Sequence, residues 1–260
     1  MDLGLRDKKV LITGGSKGIG LACAKAFIAE GARVALVSRS QENLKKANET
    51  LRDAYTISAD LTDAAAAAAM VERVEKEFGA IDVLVNSAGA AKRTDADDLS
   101  PAAWRAGMDA KYFSYINVID PLIKRMASRG RGAVINVIGS GGKVASPTHL
   151  AGGAANAALL LATAGLAYAY AYAGKGVRVV GVSPGVTNTE RVAEGLKAEA
   201  KRANVSVEQA YRQMVARLPL GRPAEPEEIA DIVVFAASER GRYLTGANIS
   251  TDGAASHVVV

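Results

Sequence analysis

The chain has 260 residues, 49% of them hydrophobic and 23% charged. That is a globular balance, which excludes disordered and fibrous classes and allows one large domain or two small ones. The formal net charge is +5, from 32 Lys+Arg against 27 Asp+Glu. The cations are scattered in short groups (Lys8-Lys9, Lys45-Lys46, Lys124-Arg125, Lys201-Arg202) with few aromatics, so no nucleic-acid partner is expected.

The single cysteine, Cys23, excludes a disulfide framework and a cysteine-based zinc site and fits a reducing compartment. The first fifteen residues carry charges and lack the apolar core of a secretory signal. The most apolar stretch, 150–173, is broken by glycines, Asn156, Thr163 and three tyrosines, and is expected to be a buried helix rather than a membrane span. The expected location is cytoplasmic.

The first apolar run, Lys9–Thr13, leads into Gly14-Gly15-Ser16-Lys17-Gly18-Ile19-Gly20 and then a helical stretch over 18–30. Strand, glycine turn and helix in that order suit a dinucleotide. Gly14, Gly18 and Gly20 let the chain turn tightly, let its backbone approach a pyrophosphate, and let the helix pack on the strand. The helix N-terminus then presents free N–H groups to the phosphate. The second strand, Arg33–Val37, ends at Ser38-Arg39, where an acidic residue would hydrogen-bond the ribose hydroxyls of NAD. Arg39 with Lys17 instead favours a 2′-phosphate through charge-assisted bonds, so the expected cofactor is NADP(H).

Helical spacing over 41–52, a strand at Ala54–Ser58 and a helix over 63–78 follow. Next come a strand at Ile81–Val85, a long helical stretch over 101–128 and a strand at Ala133–Ile138. The pattern continues with a helix over 150–173, a strand at Val177–Val182, a helix over 226–238 and a strand at Ala247–Thr251. This alternation predicts an α/β, Rossmann-like, doubly wound parallel sheet of about seven strands with helices on both faces. It forms one catalytic domain over 1–260. Thr187–Pro219, charged and helical in pattern between a strand and a late helix, reads as a substrate lid.

Several further residues stand at the ends of these strands. They are Asp60 after the third, Asn86-Ser87-Ala88-Gly89 after the fourth, Ser140 after the fifth, and Ser183-Pro184-Gly185 with Thr189 after the sixth. With the glycine turn, the stretch Leu218–Ala230 and the ending Thr245-Gly246…Asp252-Gly253, they resemble the short-chain dehydrogenase/reductase family over nearly the whole chain. The resemblance implies an oxidoreductase of carbonyl or alcohol substrates. It also implies that Gly14, Ser16, Lys17, Gly18, Ile19 and Gly20 hold phosphate, with Ser38 and Arg39 at the ribose and Asp60 with Leu61 at the adenine. Asn86, Ala88 and Gly89 would support the nucleotide side, and Pro184, Gly185 and Thr189 the nicotinamide end.

The family's catalytic pattern is Tyr-x-x-x-Lys on the helix after the serine strand, and this chain contains no such spacing. Setting Asn156-Ala157-Ala158-Leu159 against the family's Lys-Ala-Ala-Leu puts Gly152 at the tyrosine position and Asn156 at the lysine position. Upstream, Asp109-Ala110-Lys111 stands where the family has Asp-x-Asn. Asparagine and lysine are thus exchanged, which suggests a rebuilt site.

Ser140 can hydrogen-bond a substrate oxygen. A proton donor is then sought in His149, which titrates near neutrality and shares helical spacing with 152 and 156. Lys111 is a second choice, because desolvation would lower its pKa. Lys111 is expected near Ser140 with Asn156 as its hydrogen-bonding partner.

Two other readings stand beside this one. The chain could be a silent NADP-binding sensor or assembly protein, or it could run non-redox chemistry through the Lys111 amine. Finally, 151–173 is apolar on nearly all faces. Together with Tyr112, Phe113 and Tyr115 it is expected to pack against other copies, in the homotetramer that the resemblance implies.

Overall fold

A computed structural model describes residues 1–89 and 91–258. It contains one seven-stranded sheet in the order β3-β2-β1-β4-β5-β6-β7, parallel throughout. The strands are β1 (Lys9–Thr13), β2 (Arg33–Ser38), β3 (Tyr55–Ser58), β4 (Val83–Asn86), β5 (Gly132–Val137), β6 (Val177–Pro184) and β7 (Asn248–Thr251). The expected fourth strand thus moves toward Asn86, because that residue pairs with Thr13 and Asn136 in the ladders.

Both faces of the sheet are covered, which is why its strands read as continuous apolar runs. On one face lie α1 (Gly18–Ala29), α2 (Gln41–Leu51) and α9 (Pro226–Ala237), contributing Cys23, Phe27, Leu44, Ile229 and Val233 to the core. On the other lie α3 (Ala64–Glu77), α5 (Ser114–Ser128) and α6 (Leu150–Tyr172), contributing Met70, Val74, Ile119, Leu122 and Leu159. Burial pushes the Cys23 thiol up to about 12, so it is packing rather than chemistry.

The stretch expected as one helix over 101–128 is interrupted. It runs as α4 (Pro101–Met108), a π-helical turn over Asp109–Phe113, and α5. Lys111 is the middle residue of that turn. Such single π turns inside longer helices are frequent at functional sites.

The glycine at 89 is built for it. Gly89 has φ +85°, and a Cβ there would run into the Ala110 carbonyl oxygen, so the β4 loop and the π turn can touch only through glycine.

The excursion over 187–219 forms two helices, α7 (Glu190–Ala203) and α8 (Val207–Val215). Among the described residues α6 is the one helix whose length and composition would suit a membrane. Its Ala151, Gly152, Ala155, Asn156, Leu159, Thr163 and Ala167 are nevertheless buried in the domain. Its outer side exposes Leu161, Tyr168 and Tyr172, as expected, but Tyr115 does not share that surface: it is wholly buried under the sheet.

Candidate active site

The strand order reverses between β1 and β4, and the crevice beyond their C-terminal ends is where an open α/β sheet takes a ligand. A buried chain of side-chain hydrogen bonds fixes that edge. Thr13 Oγ1 donates to Asn86 Oδ1 (3.2 Å), Asn86 Nδ2 to Asn136 Oδ1 (3.1 Å), and Asn136 Nδ2 to Thr163 Oγ1 (3.0 Å). Thr13 Oγ1 also accepts from the Ser87 and Ala88 amides at 3.2 and 3.3 Å. Asn86 therefore ties β1, β4 and β5 together through both polar atoms of its buried side chain.

The glycine turn forms a cradle. Gly14 adopts φ +66°, and a Cβ on it would sit 2.8 Å from the Ala88 backbone, so the two loops approach as closely as glycine permits. Gly18, at φ +51°, begins α1, and a Cβ there would lie 3.3 Å from Thr189 Cγ2. Thr189, just before α7, thus stands over the turn. A Cβ on Gly20 would overlap the Gly14 carbonyl, and Ile19 is partly buried beside it.

No side chain caps α1, whereas Ser40 caps α2 and Asp63 caps α3. Its first N–H groups are left for an anion. Beside it Ser16 Oγ donates to Ser38 Oγ (3.1 Å).

Lys17 is not the free cation expected. Its ammonium pairs with Glu190 at 2.9 Å, joining the glycine turn to α7, because that helix begins with an acidic residue. Arg39 remains exposed at the end of β2, in no ion pair among the described residues. It faces Asp60, whose carboxyl is held below the usual range chiefly by hydrogen bonds from Thr62. Leu61, expected at the adenine, buries its side chain in the core, and its carbonyl accepts from Asn117 Nδ2 (3.0 Å). Pro184 ends β6 beside Thr251, followed by Gly185, where a Cβ would lie 2.9 Å from the Asp252 backbone.

At the end of β5 the chain turns through Gly139 and a short 3-10 segment, Ser140–Gly142, packed on the start of α6. A Cβ on Gly153 would come 2.9 Å from the Gly141 carbonyl, and one on Gly142 2.8 Å from the Asn156 backbone. Ser140 is half-buried in this turn.

His149 stands just before α6 rather than within it (φ −135°, ψ 34°), so the helical spacing to 152 and 156 is not what places it. Its ring instead folds over the first turn and fills the volume that a side chain at Gly152 would enter: a Cβ there would overlap the imidazole. The ring also lies 3.4 Å from the Cβ position of Gly141, next to Ser140. Its Nδ1 is buried without a partner. Desolvation first, then Arg93, Arg191 and Lys111, hold its pKa below the usual histidine value.

Lys111 reaches the same end of β5. Its Nζ donates to Tyr115 Oη (2.6 Å) and to the Val137 carbonyl (3.1 Å), which also accepts from Tyr115 Oη (2.8 Å). Desolvation pushes its pKa down to about 7, with Arg191 adding to the shift. The expected Lys111–Asn156 hydrogen bond is absent. Asn156 is buried with its Nδ2 against Gly139 and its Oδ1 unpartnered, because the π turn directs Lys111 to the strand end instead.

The sequence profile described as enoyl-(acyl carrier protein) reductase matches residues 14–255. The 3alpha-hydroxysteroid dehydrogenase of Mediterraneibacter gnavus is 34% identical over 257 residues, covering 96% of this chain and 98% of its own. The D-threitol dehydrogenase of Mycolicibacterium smegmatis is 33% identical over 259 residues, covering 97% and 94%. The chain belongs to the short-chain dehydrogenase/reductase family.

The crystal structure of L-sorbose reductase from Gluconobacter frateurii, complexed with NADPH and L-sorbose, superposes with a TM-score of 0.93 at 28% identity over the whole of both chains. Within this short-chain dehydrogenase/reductase fold, three groups around the site had no sequence signal or only a weak one. Arg93 is held beside His149 by a hydrogen bond to Thr148 Oγ1 (3.3 Å). Arg191 follows Thr189 closely, and that short spacing was its only hint. Tyr115 was read as a surface aromatic.

Proposed function

We propose that this chain is an NADP(H)-dependent oxidoreductase of small carbonyl or alcohol compounds, a divergent family member in which His149 handles the proton. The observation that carries the reading is the imidazole standing in the volume of position 152, beside Ser140. The uncapped start of α1, the glycine cradle closed by Thr189, and Arg39 in place of an acidic ribose ligand fit a dinucleotide with a 2′-phosphate. Gly14, Ser16, Gly18, Ile19 and Gly20 would hold its phosphates, Ser38 and Arg39 the ribose phosphate, and Pro184, Gly185 and Thr189 its far end. Asp60, Ala88 and Gly89 would line the nucleotide side.

Bound, that cofactor takes up or supplies the hydride. Ser140 Oγ donates a hydrogen bond to the substrate oxygen and holds it against the imidazole. In alcohol oxidation neutral His149 accepts the hydroxyl proton at Nε2, the nitrogen that is not the buried, unpartnered one. In carbonyl reduction the imidazolium returns it. The lowered pKa keeps the ring neutral near pH 7 and therefore suits the base role best. Lys111 acts through charge: its ammonium, fixed on the Val137 carbonyl, favours a developing alkoxide near the end of β5. Asn156 Oδ1, buried and unpartnered, is left to accept a hydrogen bond from a substrate group or water.

The test is NADPH oxidation and NADP+ reduction across a panel of ketones and secondary alcohols, with His149→Phe alongside. Turnover lost in that variant while NADPH binding persists supports the assignment; full activity ends it. One observation favours a second reading. An amine with a pKa of about 7 is also a nucleophile, so Lys111 could condense with a carbonyl. Borohydride trapping with mass analysis at Lys111 separates the two. No turnover with any compound, together with intact NADPH binding, would leave the chain a nucleotide-binding sensor or assembly protein. The exposed Leu161, Tyr168 and Tyr172 of α6 support packing between copies, as a homotetramer.

A further inference from the structure

Lys111 in the π turn and Tyr115, the second residue of α5, are four residues apart and share a face. That face is turned inward. Tyr115 is wholly buried, in the same core cluster as Ile119 and Leu122, so its hydroxyl needs a partner inside the protein. It finds one in the Val137 carbonyl at the end of β5, 2.8 Å away.

The direction of each bond follows from the groups present. A carbonyl oxygen can only accept, so the Tyr115 proton points at Val137 and the lone pairs of Oη are left to receive. Lys111 Nζ lies 2.6 Å from Oη and 3.1 Å from the same carbonyl oxygen, with the Tyr115 ring centroid 4.3 Å away. The three polar atoms close a triangle in which every donor and acceptor is determined.

That triangle restricts the ammonium. It carries three N–H groups and would turn freely about Cε–Nζ on a single acceptor. With Val137 and Tyr115 both bonded, two N–H groups are fixed and the third can take only one direction. The other charged groups that act on Lys111 are like in sign: Arg191 of α7 disfavours its charge, and Lys111 in turn acts on His149 at the entry to α6. Two neutral oxygens are therefore what the fold offers to keep the amine protonated in a desolvated place.

We propose that Tyr115 is a positioning residue for the reaction: its buried hydroxyl, fixed by the Val137 carbonyl, holds the Lys111 ammonium in one orientation at the end of β5. This rests on the reading above in which Lys111 acts through charge, and it assigns the group that aims that charge.

Tyr115→Phe keeps the buried ring and removes the one atom in question. On the best substrate of the ketone and alcohol panel, kcat should fall about tenfold with KM changed less than about twofold. In the Lys111→Met background the same substitution should cost nothing further, because no ammonium is left to orient. An unchanged kcat, or a loss that persists in full in that background, makes Tyr115 a packing residue and overturns the proposal.

A second measurement needs no substrate. In protein labelled with 13C at lysine Cε, the Lys111 resonance, identified by its absence in Lys111→Met, should titrate near pH 7. Loss of an acceptor disfavours the charged form, so Tyr115→Phe should lower that midpoint by about one pH unit. An unmoved midpoint overturns the proposal. Full activity in Lys111→Met would end the charge reading and the catalytic part of this proposal with it, whereas a lowered midpoint would still support Tyr115 as the group that holds the ammonium. Should Tyr115→Phe fail to fold, replacing tyrosine by 3-fluorotyrosine leaves the ring and weakens the acceptor. The Lys111 midpoint should then fall in the same direction, and its constancy would overturn the assignment.

Discussion

The imidazole of His149 occupies the volume that any side chain at Gly152 would need. The two positions are therefore exclusive: a residue larger than glycine at 152 evicts the ring, and the ring at rest requires glycine. The pair thus behaves as a single unit.

The exclusion predicts the behaviour of Gly152→Ala. Its methyl group overlaps the ring and must push it away, so turnover should fall by about 10²-fold, the scale for losing a positioned proton-transfer group. His149→Ala combined with Gly152→Ala should relieve the crowding and regain melting temperature without regaining activity. Steady-state rates and thermal unfolding of the three variants check both halves.

The pH profile follows from the lowered imidazole pKa. Alcohol oxidation needs the neutral ring, so its rate should rise with pH through a midpoint below the ordinary histidine value of 6.5 and level off near neutrality. Ketone reduction needs the protonated ring and should fall through the same midpoint. His149→Phe should flatten both limbs. A midpoint above 6.5 in kcat/KM would contradict the desolvated, cation-flanked setting.

Lys111 is a stability cost carried by the fold. Its folded pKa of about 7 lies below the ordinary lysine value of 10.5, so the unfolded chain binds more protons between those values. Its contribution to stability therefore rises as pH climbs through that window, and is least favourable below it. Lys111→Met should raise stability at pH 6 relative to pH 10, by at least about 1 kcal/mol, since each pKa unit corresponds to about 1.4 kcal/mol. Denaturant titrations of both proteins at the two pH values test it. Turnover in the same variant should drop about 10²-fold.

Cofactor preference should hinge on Arg39. Lys17 is engaged by Glu190, which leaves Arg39 as the cation at the end of β2. Arg39→Asp should weaken NADPH binding at least tenfold and bring NADH to equal or tighter affinity, as measured by calorimetry. Lys17→Gln should change the ratio far less.

Assembly should depend on the outer side of α6. Tyr168 and Tyr172 stack there with ring centroids 5.8 Å apart, both exposed in the single chain. Light scattering at micromolar concentration should give a tetramer, and Tyr168→Glu with Tyr172→Glu should yield smaller species.

The sequence by itself determined the layers and the cofactor crevice. A parallel sheet covered on both faces forces apolar strands and amphipathic helices at fixed alternation, and the glycines from 14 to 20 answer local backbone needs that any reader of the chain can see. It also exposed the missing Tyr-x-x-x-Lys spacing. What it could not place were side chains whose positions depend on contacts far along the chain. The π turn that carries Lys111 to Val137 instead of Asn156 packs against Gly89, about twenty residues upstream. Tyr115 lies under the sheet because its hydroxyl finds the same Val137 carbonyl. His149 folds onto Gly152 from outside the helix, where periodicity has no meaning, and Arg93 and Arg191 meet it from segments about 56 and 42 residues away. Local pattern specifies which backbone forms; only the packed sheet, which brings the ends of β4, β5 and β6 to one crevice, decides which charges share it.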